Sequence, residues 1–213
     1  MPQIGLPENY LASVKIENGR DLQSRLFTES VVFRELVRAS EGVVRDLINM
    51  FTKAFFDSMK RNRDSINRIA VTSAAREWFE QDKAQHLSPG LNQYLRRIMT
   101  DVIGSRKARS FMVPRELQQH PVLQGLFDAR VIHIVQRGYA DKDNPGLRYD
   151  IYTLDYGTYV ELLGTSKQPA MEYILGNSGP ECIVPFDDKR SIRRIILSRE
   201  FFDEQHQPDA TAR

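Results

Sequence analysis

Apolar residues between positions 20 and 104 recur at steps of three and four residues, which is the period of an α-helix. The stretch "LQSRLF" predicts a short helix, and "TESVVFRELVRAS" predicts a second one with Thr28 or Ser30 as its N-cap. A third helix is expected from Val43 to about Lys60. Its predicted apolar face consists of Val44, Leu47, Ile48, Phe51, Ala54, Phe55 and Met59.

Two further helices are predicted before the period changes. The stretch "RIAVTSAAREWFEQDK", residues 68–83, has an amphipathic pattern. The next helix should begin at Ser88 and Pro89, because serine caps a helix well and proline fits its first turn. Gly104 is expected to close this helix in the left-handed conformation. The pattern up to this point predicts a purely helical region.

The pattern after Gly104 predicts a mixed region. The stretch "SFMVP" is short and extended, and "RELQQHPVLQGLFDAR" is helical but split at Pro121, which fits only a first turn. Two alternating segments, "VIHIVQRGY" and "LRYDIYTL", flank the polar turn "ADKDNPG", which is typical of a β-hairpin. The stretch "YGTYVELLGT" predicts a short closing helix, and "IVPFDDKRSIRRIILSREFF" predicts one more strand at a sheet edge.

This order of elements is that of a winged helix-turn-helix, so the predicted fold class is mainly α with some β. Residues 121–129 take the position of the recognition helix, which enters the major groove of DNA, and the hairpin is the wing. The candidate DNA-binding residues are basic or amide side chains around these two elements. They are Arg106, Lys107, Arg109, Arg115, Gln118, Gln119, Gln124, Arg137, Lys142 and Arg148.

The overall charge leaves a second interpretation open. The net charge of +2 is too small to indicate nucleic-acid binding by itself, so the argument depends on where the charges lie. Acidic residues are interleaved with the basic ones at positions 128, 141, 143 and 150. Winged helices also serve as protein-interaction modules, and exposure of Val122, Leu123, Leu126 and Phe127 would favour that alternative.

The stretch "ELVRASEGVVRDLINMFTKA" (35–54) resembles the lid of AAA+ ATPases of the replication-initiator, or origin-recognition, type. Residues 40–45, "SEGVVR", match the pattern Ala/Ser-x-Gly-x-x-Arg of the sensor-2 signature in that lid. The stretches "VIGSRKARSFMV" and "RVIHIVQRGYADKDNPGLRYDIYTLDYGTYVELL" are also similar to the C-terminal region of bacterial proteins of this class. The resemblance covers roughly residues 20 to 165, and in this family a winged helix follows the lid.

The resemblance implies a role for two residues. Gly42 would let the chain turn tightly between two lid helices, and Arg45 would point at the terminal phosphates of a bound nucleotide. A guanidinium suits that role because it is permanently charged and can fork onto phosphate oxygens. The structural alternative is an ordinary inter-helix turn, with Arg45 paired on the helix surface to Glu41.

The chain departs from the family where nucleotide chemistry would occur. No Gly-x-x-x-x-Gly-Lys-Ser/Thr motif is present, and no apolar strand ending in two acidic residues precedes Arg45. We therefore expect no enzyme activity and no cofactor in this chain, with ATP and magnesium present only if an ATPase core joins it in cis or in trans. The chain is expected to be the lid and winged-helix part of a larger ATPase, or a standalone relative.

Other site chemistry has little support in the sequence. A single cysteine, Cys182, and four scattered histidines argue against a disulfide or a zinc site. His133 alternates with Val131 and Val135 and is expected to be a partly buried, hydrogen-bonded imidazole. The absence of a long apolar run and of a signal pattern predicts a cytoplasmic protein with no membrane partner.

The sequence thus predicts four regions: an extended lead-in (1–19), a lid-like helical subdomain (20–66), a winged helix (67–165) and a C-terminal extension (166–213). The extension is expected to hold an edge strand and a disordered end. The first functional hypothesis is a non-catalytic region that binds double-stranded DNA and reports nucleotide state through Arg45. The alternative is a protein-interaction or homo-oligomerisation winged-helix module of a signal-transducing ATPase that does not bind DNA.

Overall fold

The computed structural model describes residues 18–140, 146–169 and 189–203. The chain divides into two compact units, one ending at Trp78 and the other beginning at Phe79. This boundary lies later than the predicted one between residues 66 and 67. The difference comes from a single helix, residues 68–78, which packs with the first unit.

The described part of the first unit is helical. Its helices are α1 (Gly19–Leu26), α2 (Ser30–Ala39), α3 (Val44–Lys60) and α4 (Arg68–Trp78). Asn18 caps α1, since its side-chain oxygen accepts hydrogen bonds from the backbone N–H groups of Arg20 and Asp21 at 2.8 and 3.1 Å. All four helices overlap the segments that the apolar period predicted.

The start of α2 differs from the prediction. Glu29 occupies the N-cap position and its side chain makes no capping hydrogen bond. The N–H group of Thr28 instead donates to the carbonyl oxygen of Ile66 at 3.0 Å, and Phe27 forms a parallel bridge with Ile66. Neither Thr28 nor Ser30 therefore caps the helix, because this tertiary pairing keeps the chain extended before α2.

The buried side of α3 is also not the predicted one. It carries Asp46, Met50, Ala54 and Ser58. Four large apolar side chains on α3 are each more than half exposed: Val44, Ile48, Phe56 and Met59. We call these four residues the apolar stripe. The apolar period located the helix correctly, but it did not identify the face that meets the core.

Helix α4 completes the first unit. It packs against α2 and α3 and buries four small or β-branched residues, Ala70, Val71, Ala74 and Ala75. Small residues let two helix backbones approach closely, so Ala54 and Ser58 on α3 suit the same contact. This packing explains why residues 68–78 belong to the first unit.

The second unit opens with two short turns and a helix. A π-helical turn (Phe79–Lys83) and a 3-10 turn (Ala84–His86) precede α5 (Pro89–Ile98). The hydroxyl of Ser88 accepts a hydrogen bond from the backbone N–H of Leu91 at 3.3 Å, and Pro89 occupies the first turn. The predicted start of this helix is therefore confirmed.

The end of that helix is not where the sequence placed it. The backbone continues through a π-helical turn (Met99–Ser105) that includes Gly104, whose φ is not positive. Lys107 takes the left-handed conformation instead, with φ of 55°, while its N–H donates to the carbonyl oxygen of Ile103. The expected closure at Gly104 is wrong, because the wider turn carries the chain past it.

A three-stranded antiparallel sheet forms the other half of this unit. Its strands are β1 (Ser110–Pro114), β2 (Ile132–Ala140) and β3 (Arg148–Leu154), in the spatial order β1-β3-β2. A 3-10 turn (Arg115–Leu117) and helix α6 (Pro121–Asp128) connect β1 to β2. The split at Pro121 and the hairpin are confirmed, and the order of elements agrees with the predicted winged helix.

A cluster of charged side chains holds the base of the hairpin. The Nζ atom of Lys83 lies 2.5 Å from Oδ2 of Asp155, and Nε2 of His133 donates to the same oxygen at 2.8 Å. Lys83 and Asp155 are each 1% exposed. Burial works to raise the pKa of Asp155, but the hydrogen bond from His133 and the charge of Lys83 outweigh it and hold that pKa below its usual value. We call these three residues the ionic cluster.

The described end of the chain packs onto the second unit. The N–H of Met112 in β1 donates to the carbonyl oxygen of Ile195 at 2.7 Å, and its carbonyl accepts from Leu197 at 2.9 Å. Residues 183–188 of the predicted edge strand lie outside the described residues, and the described part, 189–202, contributes one parallel bridge between Met112 and Ile196 before a short helix, α7 (Arg199–Asp203). The predicted closing helix after β3 is two 3-10 turns (Tyr156–Thr158 and Val160–Leu162).

The described residues are mainly α-helical with one small antiparallel sheet, which confirms the predicted fold class. None of the helices in the described ranges is both long enough and apolar enough to cross a bilayer.

Candidate nucleic-acid interface

The turn between α2 and α3 depends on Gly42. Gly42 has φ of +80° and follows Glu41, which is also left-handed with φ of 48°. The N–H of Val43 donates to the carbonyl oxygen of Ser40 at 2.8 Å and closes the turn. A Cβ at Gly42 would meet no atom within 4 Å, so the requirement for glycine is conformational rather than steric.

Arg45 lies in the first turn of α3, just after this turn. Its side chain is 63% exposed, and its Nε atom lies 3.8 Å from Oδ1 of the buried Asp46. At that separation the contact is a loose ion pair rather than a hydrogen bond. The guanidinium is therefore accessible, as a nucleotide-sensing residue would need to be.

Arg109 is not positioned to contact DNA. It is 5% exposed, and its guanidinium donates to the Tyr159 hydroxyl at 2.9 Å. The carbonyl oxygen of Arg109 also accepts from the N–H of Leu154, which ties the residue to the sheet. The prediction of a phosphate contact is wrong at this position because the side chain points into the core.

Arg106 and Lys107 lie away from the recognition-helix position. The guanidinium of Arg106 donates to the carbonyl oxygen of Arg194 at 3.2 Å. Lys107 borders a separate cleft of about 350 Å³, which is mostly apolar. Its other lining residues are Met99, Thr100, Ile103, Gly104, Leu162 and Lys167. The structure gives neither residue a place beside α6.

Four of the predicted DNA-binding residues do come together. Gln118, Gln119, Gln124 and Arg137 line one cleft of about 340 Å³ between α6, the turn before it and the hairpin. The cleft is also lined by Leu123, Phe127, Asp128, Ile134 and Tyr152. We call this the polar cleft. Its volume is within the range of small-ligand sites in proteins.

The α6 side of the polar cleft combines amides with a partly apolar rim. Nε2 of Gln124 donates to Oε1 of Gln119 at 2.7 Å, so these two amides are ordered as a pair. Leu123 and Leu126 are buried, while Phe127 is 40% exposed. Of the four apolar residues named to distinguish DNA binding from protein docking, two are buried, Val122 is half-buried and Phe127 is exposed, so their burial does not decide between the two hypotheses.

The sheet side of the polar cleft includes Tyr152. Its ring stacks on Phe111 with centroids 5.9 Å apart. Burial and the nearby charge of Asp150 raise the pKa of the Tyr152 phenol, and Arg137 opposes this shift. Alternation along the hairpin could not place Tyr152 beside Arg137, because β2 has irregularities between Ile134 and Tyr139 that shift the pairing.

Three exposed arginines surround one bulge in the wing. Gly138 has φ of +65°, and its N–H donates to Oδ1 of the buried Asp150 at 2.8 Å. Nη1 of Arg148 lies 3.4 Å from the Gly138 carbonyl oxygen, and Nη1 of Arg115 lies 3.5 Å from where a Cβ of Gly138 would be. Arg137 is the neighbour of Gly138 in sequence. We call Arg115, Arg137 and Arg148 the arginine rim.

Lys142, the remaining predicted DNA-binding residue, lies outside the described residues, and so does Cys182. Within residues 18–140, 146–169 and 189–203, no three histidine, cysteine or acidic side chains are grouped so that they could hold a metal ion.

Comparison with known proteins gives no family assignment: no protein-family model, curated protein or solved structure matches this chain.

Proposed function

We propose that this chain is a non-catalytic, DNA-binding region of a bacterial cytoplasmic ATPase of the initiator-like AAA+ type. The observation that supports DNA binding most directly is the arginine rim beside the polar cleft. It joins permanent positive charges to amide side chains at the recognition-helix position. This combination suits a DNA surface, where cations bind phosphates and amides bind base edges.

The contacts divide into two kinds. Arg115, Arg137 and Arg148 are exposed and can reach phosphates on either side of the hairpin. Gln119 and Gln124 can exchange their mutual hydrogen bond for hydrogen bonds to base edges. The phosphate contacts supply affinity, and the amides supply selectivity.

The exposed surface of α3 in the first unit is suited to docking on a nucleotide-binding core. Val44 and Ile48 of the apolar stripe flank Arg45 on α3, with exposures of 67% and 58%. An exposed apolar surface beside an accessible guanidinium suits a helical lid that packs on another domain while its arginine reaches a nucleotide phosphate. The sensor-2 pattern of residues 40–45 supports the same arrangement.

The second candidate function is a protein-interaction or oligomerisation module that does not bind DNA. The apolar stripe is the observation in its favour, because solvent-exposed Phe56 and Met59 suit a protein partner as well as they suit an ATPase core.

The test is fluorescence anisotropy of the chain with a labelled DNA duplex at several salt concentrations. We expect binding that weakens log-linearly with salt. Replacing all three residues of the arginine rim by alanine should weaken it further and reduce the slope by about 2.7, since each phosphate contact contributes about 0.9.

The matched control replaces Arg25, Arg34 and Arg63 by alanine. These arginines are exposed in the first unit, so this variant has the same change in net charge. It should bind DNA like the parent chain. An equal loss of DNA affinity in both variants would mean that the chain binds DNA only through non-specific charge attraction. If the parent chain does not bind DNA even at low salt, the protein-interaction module is favoured.

A further inference from the structure

The polar cleft has no net charge in its lining. Arg137 is balanced by Asp128, and the other polar groups are three amides and one phenol. A phosphate group would need an excess of cations, which the lining does not supply. A neutral ligand with several hydrogen-bond donors and acceptors fits this lining better.

Polar groups in the cleft are available for such a ligand. Tyr152 is 3% exposed, yet no hydrogen bond joins its hydroxyl or the Gln118 side chain to another described residue. The hydroxyl itself keeps some contact with solvent, although most of the Tyr152 ring is buried. The hydroxyl of Tyr152 therefore offers the cleft an unused donor and acceptor.

The cleft also offers an aromatic surface and a limited volume. Phe127 is 40% exposed at its rim, and the fully buried Leu123 forms part of its floor. The cleft volume of 340 Å³ equals about eleven water molecules at about 30 Å³ each, which suits a planar ring system rather than a chain of nucleotides. Aromatic side chains beside amides are the usual means of holding a single nucleobase.

We propose that the polar cleft binds one unpaired nucleobase of DNA, while the arginine rim holds the backbone around it. This inference rests on the proposed DNA-binding function. A paired base cannot enter the cleft without leaving the stack, so the preferred ligand is a duplex with a bulged, mismatched or single-stranded base. Stacking on Phe127 would replace the stacking in the duplex that the unpaired base lacks. Hydrogen bonds with Tyr152 and Gln118 would replace those of the missing pairing partner.

The test compares two labelled duplexes of the same sequence, one intact and one with a single bulged adenine. We expect the chain to bind the bulged duplex about tenfold more tightly, the size of effect that one base–aromatic stack gives. With 2-aminopurine as the bulged base, binding should lower its fluorescence, because the base stacks on Phe127.

Three variants separate the contributions. Phe127→Ala should remove the preference for the bulge, so that the bulged and the intact duplex bind with the same affinity. Tyr152→Phe keeps the buried ring and should reduce the preference about threefold, as expected for one hydrogen bond. Arg148→Ala should weaken binding of both duplexes by the same factor.

The outcomes that overturn the inference differ from those that overturn the proposed function. Equal affinity for the two duplexes, or a bulge preference that survives Phe127→Ala, would refute the base-binding cleft and leave DNA binding intact. Failure to bind either duplex would refute both. If free deoxyadenosine monophosphate displaced 2-aminopurine DNA at micromolar concentration, the cleft would be a site for free nucleotides and not for DNA.

Discussion

At the scale of single residues, backbone conformation decides which positions in the α2–α3 turn can change. Gly42 is left-handed with open space around it. Any residue with a Cβ must therefore accept a backbone conformation that it disfavours by about 1–2 kcal/mol.

The first prediction concerns this turn. Gly42→Ala should lower the free energy of unfolding of the helical unit by about 1–2 kcal/mol, measured by urea denaturation followed by circular dichroism. Gly19→Ala is the control, because Gly19 also has open space around it but lies at the start of α1 without a positive φ. If both variants lose the same stability, the conformational argument does not hold.

The second prediction concerns the hydrogen bond between Arg109 and Tyr159. Tyr159→Phe leaves the buried guanidinium without that partner and should destabilise the chain by about 1–3 kcal/mol in thermal or urea unfolding. DNA affinity of the folded protein should not change, because Arg109 is structural. If Tyr159→Phe lowered the DNA affinity without lowering the stability, Arg109 would have to be counted among the DNA-binding residues after all.

At the scale of elements, the ionic cluster ties the π-helical turn at residues 79–83 to the ends of β2 and β3. Lys83 and Asp155 are buried, so removing one member of the cluster takes a close partner from the others where water cannot replace it. The cluster therefore contributes strongly to the free energy of unfolding of the second unit, and this contribution depends on pH.

The third prediction is the pH dependence of this cluster. Because the folded pKa of Asp155 lies below its unfolded value of about 3.9, the carboxylate stabilises the fold at pH above 3.9. That contribution should be lost as the pH falls from about 4 through the folded pKa. Asp155→Asn should lower the free energy of unfolding by about 3–5 kcal/mol near neutral pH. It should also flatten the acid limb, which is the fall of the free energy of unfolding with pH below about 4.

The readout is urea denaturation between pH 2 and 7. Asp21→Asn is a suitable control, because Asp21 is partly exposed and lies in the first turn of α1. It should leave the acid limb as steep as in the parent chain. An Asp155→Asn variant that keeps the parent's acid limb would contradict the assignment.

The elements themselves were largely predictable from the sequence, and their packing was not. Apolar residues at steps of three to four located α3 and α5, and alternation at every second residue located the hairpin. Ser88 and Pro89 marked the start of α5. The sequence could not identify the buried face of α3, where Asp46 and Ser58 are buried and Ile48 is exposed. That choice depends on the small residues of the next helix, α4, which the period within α3 does not reveal.

The candidate site was predictable only in part for the same kind of reason. The glutamines near α6 and Arg137 were identified by residue type and element order, and the structure brings them together. Arg109 was misassigned, because the direction of a side chain at a strand end depends on distant partners such as Tyr159. Residue type predicts chemistry, but burial decides whether that chemistry is available.

At the scale of the whole molecule, the arginine rim and the apolar stripe lie in different units. The arginine rim belongs to the second unit, and the apolar stripe belongs to the first. The net charge of +2 describes the whole chain and does not reveal that these two surfaces lie in different units. The separation fits a protein with two partners, one anionic and one apolar.

The fourth prediction tests the apolar stripe. The double variant Ile48→Ser, Phe56→Ser should keep the parent's stability within about 0.5 kcal/mol per site, because both side chains are largely exposed. Sedimentation velocity at increasing concentration should show less self-association than for the parent chain. A large loss of stability would instead mean that the stripe packs within the chain itself.

The pairing of Met112 with Ile195 and Leu197 has a consequence for solubility. With β3 on one side and this segment on the other, both backbone groups of Met112 are hydrogen-bonded, and β1 is not an open edge at that point. A chain cut before Ile195 would leave that strand free to recruit strands from other molecules. The segment that contains Ile195 and Leu197 thus covers the edge of β1 at Met112 and should oppose aggregation through that edge.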